Sequence, residues 1–234
     1  MNYFLIPNLA SPQIHIQGDE HHHLSRVLRL RVGDTVLVGD GRGDVAEAVI
    51  EEVGQKVTHC RVLAVHERFN EPPVAVTLLQ AVLKNPSKMD WLVEKATELG
   101  VASIVPLMTE HTVAHSVKTD RLRKLAETAT KQCLRGRIPD IHDPLSIDDA
   151  VTKFAAARRL IFHESAPLTA TIEALGLDER PLALFIGPEG GFSSGEVDLL
   201  HSRGADILSL GPRRLRGETA GLVALARLFG KMTK

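Results

Sequence analysis

Phe185-Ile186-Gly187-Pro188-Glu189-Gly190-Gly191-Phe192-Ser193 is an apolar run that ends in a glycine-proline turn and opens into a helix. A little further on, Leu208-Ser209-Leu210-Gly211-Pro212-Arg213-Arg214-Leu215-Arg216-Gly217-Glu218-Thr219-Ala220 repeats that grammar. Two such turns at the carboxyl ends of parallel strands make a pocket walled by backbone, suited to a small polar ligand. Neither turn is followed by the Gly-Lys-Ser/Thr of a phosphate loop, and neither has the Gly-x-Gly-x-x-Gly spacing of a dinucleotide fold. The expected ligand is therefore neither a nucleoside triphosphate nor NAD.

The surrounding pattern agrees with a parallel sheet. Val74–Leu83, Val101–Leu107, Leu160–Phe162, Leu182–Ile186 and Ile207–Leu210 are near-continuous apolar runs, as in strands covered on both faces. Helical segments alternate with them. Asn85-Pro86 supplies a cap and a first turn, Met89, Leu92, Val93, Ala96 and Leu99 a core stripe, and Gly100 a stop. Ser193 and Glu196 have capping-box spacing, and Gly204 ends that helix. From Thr219 to Phe229 only Arg227 is charged. A helix so apolar is covered on all sides, either by its own chain or by a second subunit.

Ahead of the stiff Glu71-Pro72-Pro73 break the pattern is different. Asp19 is placed to cap a short helix through Leu28, and strand-like runs follow at Thr35–Val38, Val45–Glu51 and Val57–Val65. Asp40-Gly41-Arg42-Gly43 reads as the hairpin between the first two runs. Short strands of this kind tend to close into a small barrel. The expected domains are 1–70, a β-barrel, and 74–234, an α/β sheet.

Of the 234 residues, 28 are Lys or Arg and 29 Asp or Glu, so any affinity for nucleic acid must come from local basic patches. One such patch is the predicted helix from Asp120 to Arg135. Its core stripe is Leu122, Leu125, Ala126, Ala129 and Cys133, and a second line carries Arg121, Lys124, Thr128, Lys131 and Arg135, with Arg137 just beyond. Arg26, Arg29 and Arg31 form another basic group, and Arg213, Arg214 and Arg216 a third within the second glycine turn. Such clusters can track phosphates, although a solvated helix face gives the same pattern. Cys60 and Cys133 are far apart and lack zinc-site spacing. His21-His22-His23 would point three ways on a helix, so no metal site is expected. Met1–Pro7 lacks the features of a signal peptide, and no apolar run is long enough to span a bilayer, so a cytoplasmic protein is expected.

With these residues in place, the chain resembles the small-subunit ribosomal RNA methyltransferases of the SPOUT superfamily, which use S-adenosyl-L-methionine. The resemblance is carried by His22-His23-Leu24 with Arg26-Val27-Leu28-Arg29, Lys95-Ala96-Thr97-Glu98-Leu99-Gly100-Val101, the Ile186–Ser193 turn and Leu215-Arg216-Gly217-Glu218-Thr219-Ala220. It implies an α/β SPOUT-type parallel sheet with a C-terminal trefoil knot, preceded by a PUA-like β-barrel that helps to hold RNA. It also implies a homodimer acting on 16S rRNA in the small ribosomal subunit, and methylation of N3 of one uridine. The cofactor would then meet Ile186, Gly187, Pro188, Glu189 and Gly190 from one turn. Leu210, Gly211, Leu215, Arg216, Thr219 and Ala220 would serve from the other, with His163 as a further wall. RNA would meet Arg26, Arg29, Arg121, Lys124, Lys131, Arg135 and Arg137. Two departures stand out: Asn2-Tyr3 replaces a segment where the family often has Arg, and Lys131-Gln132-Cys133-Leu134-Arg135 replaces a common Glu-Gln-x-Gly-Arg.

Uridine N3 becomes a nucleophile only once its proton leaves. A fixed guanidinium beside the flanking carbonyls would stabilise the resulting negative charge, and Arg216 is the expected catalytic residue. Glu218 is more readily read as a helix-start carboxylate than as a base, and no general base is legible. A methyltransferase acting at another position such as a ribose 2′-hydroxyl, or a non-catalytic RNA-binding assembly factor, would share much of this pattern.

Overall fold

The computed structural model describes residues 2–9, 12–113 and 116–232. The chain divides into two compact units, one comprising Met1–Glu71 with Glu127–Ile138, the other Pro72–Ala126 with Pro139–Lys234.

The first unit is built on β1 (Asn2–Leu5), β2 (Gln13–Gln17), α1 (Gly18–His22), β3 (Thr35–Gly39), β4 (Val45–Val53) and β5 (Val57–His66). Its sheet has the order β1-β3-β4-β5-β2, with β1 parallel to β3 and the other pairs antiparallel. The Asp40–Gly43 hairpin joins β3 to β4 as its sequence predicts. Gln13-Ile14-His15-Ile16-Gln17 alternates perfectly, burying Ile14 and Ile16 and exposing the rest, which is the two-residue period of a half-covered strand. Register slips twice along β4 and β5, between Glu47 and Ala48 and between Ile50 and Glu52, and such bulges tighten the twist. Phe4, Ile14, Leu24, Val36, Ala46 and Cys60, from all five strands and the turn after α1, share one buried cluster, so the sheet curls around it. Asp19 does not cap α1; it lies inside the first turn, and the helix continues as a π-helical turn over His23–Val27.

Glu127–Ile138 is stitched to this unit by backbone. The Gly43 N–H donates to Gly136 O at 3.1 Å, and the Gly136 N–H donates to Phe69 O at 2.9 Å. A Cβ on Gly136 would lie 2.2 Å from Gly43 O, so no larger residue fits. Arg135 adds a buried, two-pronged ion pair to Glu71, with Nη2 2.6 Å from Oε2 and Nε 3.1 Å from Oε1. Leu134 holds a left-handed backbone, φ 58°, which a residue other than glycine uncommonly adopts. Its side chain packs against the cluster of Tyr3, Leu37 and Val45, which offsets a strain of about 1–2 kcal/mol.

The second unit contains β6 (Val76–Ala81), α2 (Pro86–Leu99), β7 (Ser103–Met108) and the start of α3 (Thr119–Cys133). It continues with β8 (Asp140–Ile141), β9 (Leu145–Ser146), α4 (Ile147–Lys153), β10 (Arg158–Phe162), β11 (Leu182–Ile186), α5 (Ser194–Ser202), β12 (Asp206–Leu208) and α6 (Gly217–Met232). The sheet is parallel throughout, in the order β12-β10-β11-β6-β7-β8, with β9 also on β7. Leu79, Val105, Ile161 and Phe185 face α4 and α5, which add Ala150, Val151 and Leu200 to one core. On the other face α6 packs against α2, β6 and β11. Asn85 caps α2 through the Ser87 N–H, and Gly100 ends it at φ 109°. Ser193 and Glu196 close the capping box of α5 from both directions.

Candidate functional site

The two glycine turns follow β11 and β12, which flank β10 on its two sides. Parallel pairing therefore delivers both turns, and the chain leaving β10, to the same edge of the sheet. A cavity of about 450 Å³ opens there. Ile186, Gly187, Pro188, Glu189 and Gly190 line one wall, and Leu210, Gly211, Leu215 and Ala220 another. Phe162, His163, Glu164 and Leu168 form the third wall. Of the residues expected at the cofactor, Arg216 and Thr219 are not on the lining; Arg216 is exposed beside it and Thr219 sits in the first turn of α6.

Backbone bonds hold the shape. The Gly191 N–H closes the first turn on Pro188 O at 2.9 Å, with Gly191 at φ 74°. In the second turn Gly211 stands at φ 111°, a conformation a side chain rarely adopts, and its N–H donates to Ser209 Oγ at 3.1 Å. A Cβ on Gly187 would meet the Phe192 N at 3.1 Å, so a side chain there would crowd the first turn where it lines the cavity. The turns are tied to one another by Arg214, whose Nη2 donates to Glu189 O at 3.4 Å. The Lys84 N–H, just beyond β6, donates to Glu189 Oε1 at 3.2 Å.

At the start of α6, Glu218 is buried and its Oε1 pairs with Lys88 Nζ at 2.9 Å. Burial pushes this carboxyl upward, but the Lys88 ammonium, a backbone N–H and the Arg216 charge outweigh it and hold Glu218 below its ordinary value. It is therefore a carboxylate already neutralised by Lys88, placed where the helix dipole favours it.

Two histidines have opposite hydrogen-bond roles here, His163 on the cavity lining and His111 off it, bonded to the first glycine turn. The Ser165 N–H donates to His163 Nδ1 at 3.2 Å, so that nitrogen carries the lone pair and Nε2 the proton of the neutral ring. His111, on the loop after β7, donates from Nδ1 to Gly191 O at 3.0 Å, which in the neutral ring leaves the lone pair on Nε2. The sequence gives no periodicity or motif around His111; only the pairing of β7 beside β6 brings it to the glycine turn.

The basic residues divide by environment. Arg26 and Arg29 are exposed beside α1, and Lys124 is exposed on α3. Arg121 pairs with Asp90 at 2.6 Å while remaining 62% exposed, and Lys131 pairs with Glu20 at 2.8 Å. Arg137 is half-buried, its N–H donated to Glu71 Oε1 at 3.0 Å. Arg135 departs from the expected basic line altogether. At 2% exposed it is a structural cation for Glu71, because the helix ends at Cys133 and the left-handed Leu134 turns the next side chain inward. His21 is buried with Nδ1 2.9 Å from Thr58 Oγ1, while His22 and His23 are exposed.

Comparison with known proteins agrees with this architecture. Residues 70–229 match the family model described as an RNA methyltransferase domain, and residues 16–58 that of an RNA methyltransferase PUA domain. The chain is 33% identical to a ribosomal RNA small subunit methyltransferase E from Mycobacterium bovis, over 90% of this chain and 83% of the relative. It is 28% identical to the protein of that name from Bacillus subtilis, over 93% and 90%. A crystal structure of a ribosomal RNA small subunit methyltransferase E from Neisseria gonorrhoeae, bound to S-adenosyl methionine, superposes with a TM-score of 0.86 at 25% identity, covering 97% of this chain and 96% of that one.

Proposed function

Because the chain belongs to the ribosomal RNA small subunit methyltransferase E family, we propose that it transfers a methyl group from S-adenosyl-L-methionine to N3 of one uridine of 16S rRNA in the small ribosomal subunit. The observation that carries the cofactor half of this reading is the shared cavity of about 450 Å³, walled by both glycine turns. Its size is that of a small-molecule site, and its backbone amides and carbonyls suit the adenine and amino-acid ends of the cofactor. Ile186–Gly190 would hold one side and Leu210, Gly211, Leu215 and Ala220 the other, with Thr219 closing the start of α6.

Methyl transfer needs the N3 lone pair in line with the methyl–sulfur bond, so the walls act mainly by positioning. Arg216, exposed next to the cavity, reaches toward the uracil and stabilises the charge that spreads onto its carbonyl oxygens as the proton leaves. Arg26 and Arg29 on the first unit, and Arg121, Lys124 and Lys131 along α3, contact RNA phosphates; Arg137 assists from its half-buried position. Arg121 can exchange its Asp90 partner for phosphate at small cost, since exposed pairs contribute little. The path from β11 to α6 is read as the trefoil knot. Its support is the return of β12 to the far side of β10 from β11. The half-buried Leu222, Val223 and Phe229 on α6 are read as the surface covered by a second copy in a homodimer, and the enzyme works in the cytoplasm.

The test is mass spectrometry of 16S rRNA nucleosides after small subunits from a strain lacking the gene are incubated with protein and labelled S-adenosyl-L-methionine. 3-Methyluridine is expected; a labelled 2′-O-methylnucleoside would replace the N3 reading. Calorimetry without a binding heat for the cofactor would remove the enzyme reading. Arg216→Ala is expected to slow turnover about 10²-fold or more with cofactor affinity nearly unchanged. Equal losses in both would make Arg216 a cofactor residue.

A further inference from the structure

We propose that His111 is the general base that removes the uridine N3 proton, an inference that rests on the N3 reading above. A uracil N3–H is weakly acidic, and a positioned side chain that accepts its proton as the methyl acceptor forms speeds the transfer. The acceptor has to stand at the rim of the cofactor cavity with an available lone pair.

His163 fails on hydrogen-bond chemistry. Its Nδ1 accepts from the Ser165 N–H at 3.2 Å, with Ser165 Oγ 2.8 Å away, so the outer nitrogen of the neutral ring bears a proton and can only donate. Glu218 fails because it is buried and already neutralised by Lys88 at 2.9 Å. Glu189 is engaged at Oε1 by the Lys84 N–H. Carboxylates are also the weaker bases for so weak an acid.

His111 has the complementary arrangement. A carbonyl oxygen can only accept, so the 3.0 Å contact with Gly191 O fixes a proton on Nδ1, and in the neutral ring the lone pair is then on Nε2. The same bond anchors an exposed ring to the turn that walls the cavity. Gly190 confirms the closeness of the fit, since a Cβ there would lie 3.1 Å from His111 Cβ and 3.4 Å from its Cγ. The absence of a side chain at Gly190 thus serves the imidazole as well as the cavity wall.

In the step proposed, the N3–H proton passes to His111 Nε2, giving an imidazolium. The N3 electron pair forms the bond to the methyl carbon, and the methyl–sulfur pair returns to sulfur, leaving neutral S-adenosylhomocysteine. The positive charge that entered on the sulfonium leaves on the imidazolium, which then releases its proton to water. Arg216 stabilises the uracil oxygens while His111 takes the proton, so the two act on different atoms of one transition state.

The experiment compares wild type with His111→Gln on small subunits reconstituted with ordinary 16S rRNA or with 16S rRNA transcribed from 5-fluorouridine triphosphate. Fluorine at C5 makes N3–H more acidic and lessens the need for a base. On ordinary RNA, His111→Gln is expected to lower single-turnover methylation about 10²–10⁴-fold, while calorimetry shows cofactor binding retained. On fluorinated RNA most of that loss should vanish. An equal loss on both RNAs, a loss below tenfold on ordinary RNA, or a matching loss of cofactor affinity would overturn the assignment. The wild-type nucleoside product is read separately: 3-methyluridine absent from wild type ends the N3 reading, whereas 3-methyluridine with an unimpaired variant ends only the role of His111.

Discussion

The glycine turns after β11 and β12 and the basic side of α3 are both dense in residues that a reader of sequence singles out, yet they are made of different materials. The turns present backbone, and what fixes their shape is local: a positive φ at Gly191 and Gly211, a 2.9 Å closing bond, a missing Cβ at Gly187. The basic helix presents side chains, and several of its long cations settle on carboxylates that the fold provides. Arg121 takes Asp90, Lys131 takes Glu20 and Arg135 disappears under Glu71. A backbone motif therefore keeps its meaning when the chain folds, whereas a charge pattern is redistributed.

The sharpest way to break that contrast is Arg135→Ala. Removing one member of a buried pair leaves Glu71 charged and unpaired, and the expected loss of stability is about 3–5 kcal/mol in denaturant unfolding. Arg135→Met with Glu71→Leu should return most of it, since neither charge then stays behind. A small effect of Arg135→Ala would place this arginine back among the surface cations.

Gly211→Val comes next. It forces a branched side chain into φ 111°, costing about 1–3 kcal/mol, and should weaken cofactor binding in calorimetry more than any exposed α3 substitution. Unchanged affinity would separate the second turn from the ligand.

The smallest effect on stability is expected from Arg121→Ala. Its pair is 62% exposed on the arginine side, so unfolding should shift by no more than about 1 kcal/mol. RNA binding should instead weaken evenly across sequences, with the salt slope of log affinity reduced by about 1. An unaltered slope would return Arg121 to a purely internal role.

Legibility followed the same division. The runs that became β6, β7, β10 and β11 were plain because strands covered on both faces admit little but apolar residues. Asn85-Pro86, Gly100 and the Ser193–Glu196 box marked helix ends through local chemistry, and the structure uses them so. Asn2–Leu5 gave too short a run to stand out, and it becomes β1 only by pairing with β3. Gln13–Gln17 did carry an alternating signal, but Gln and His as its polar residues hid a strand that the curled sheet completes. His111 was invisible for a different reason: its role depends on a carbonyl eighty positions away in the chain, and no local pattern encodes such a meeting.

The inclusion of Glu127–Ile138 in the first unit sets a timetable for synthesis. When residues up to Glu71 have emerged from the exit tunnel, Phe69 O and Gly43 N–H still lack their Gly136 partners, and the Glu71 carboxylate has no guanidinium. The amino-terminal unit must stay open at that seam until more than sixty further residues have been translated. It cannot follow the simple rule that the leading domain finishes first.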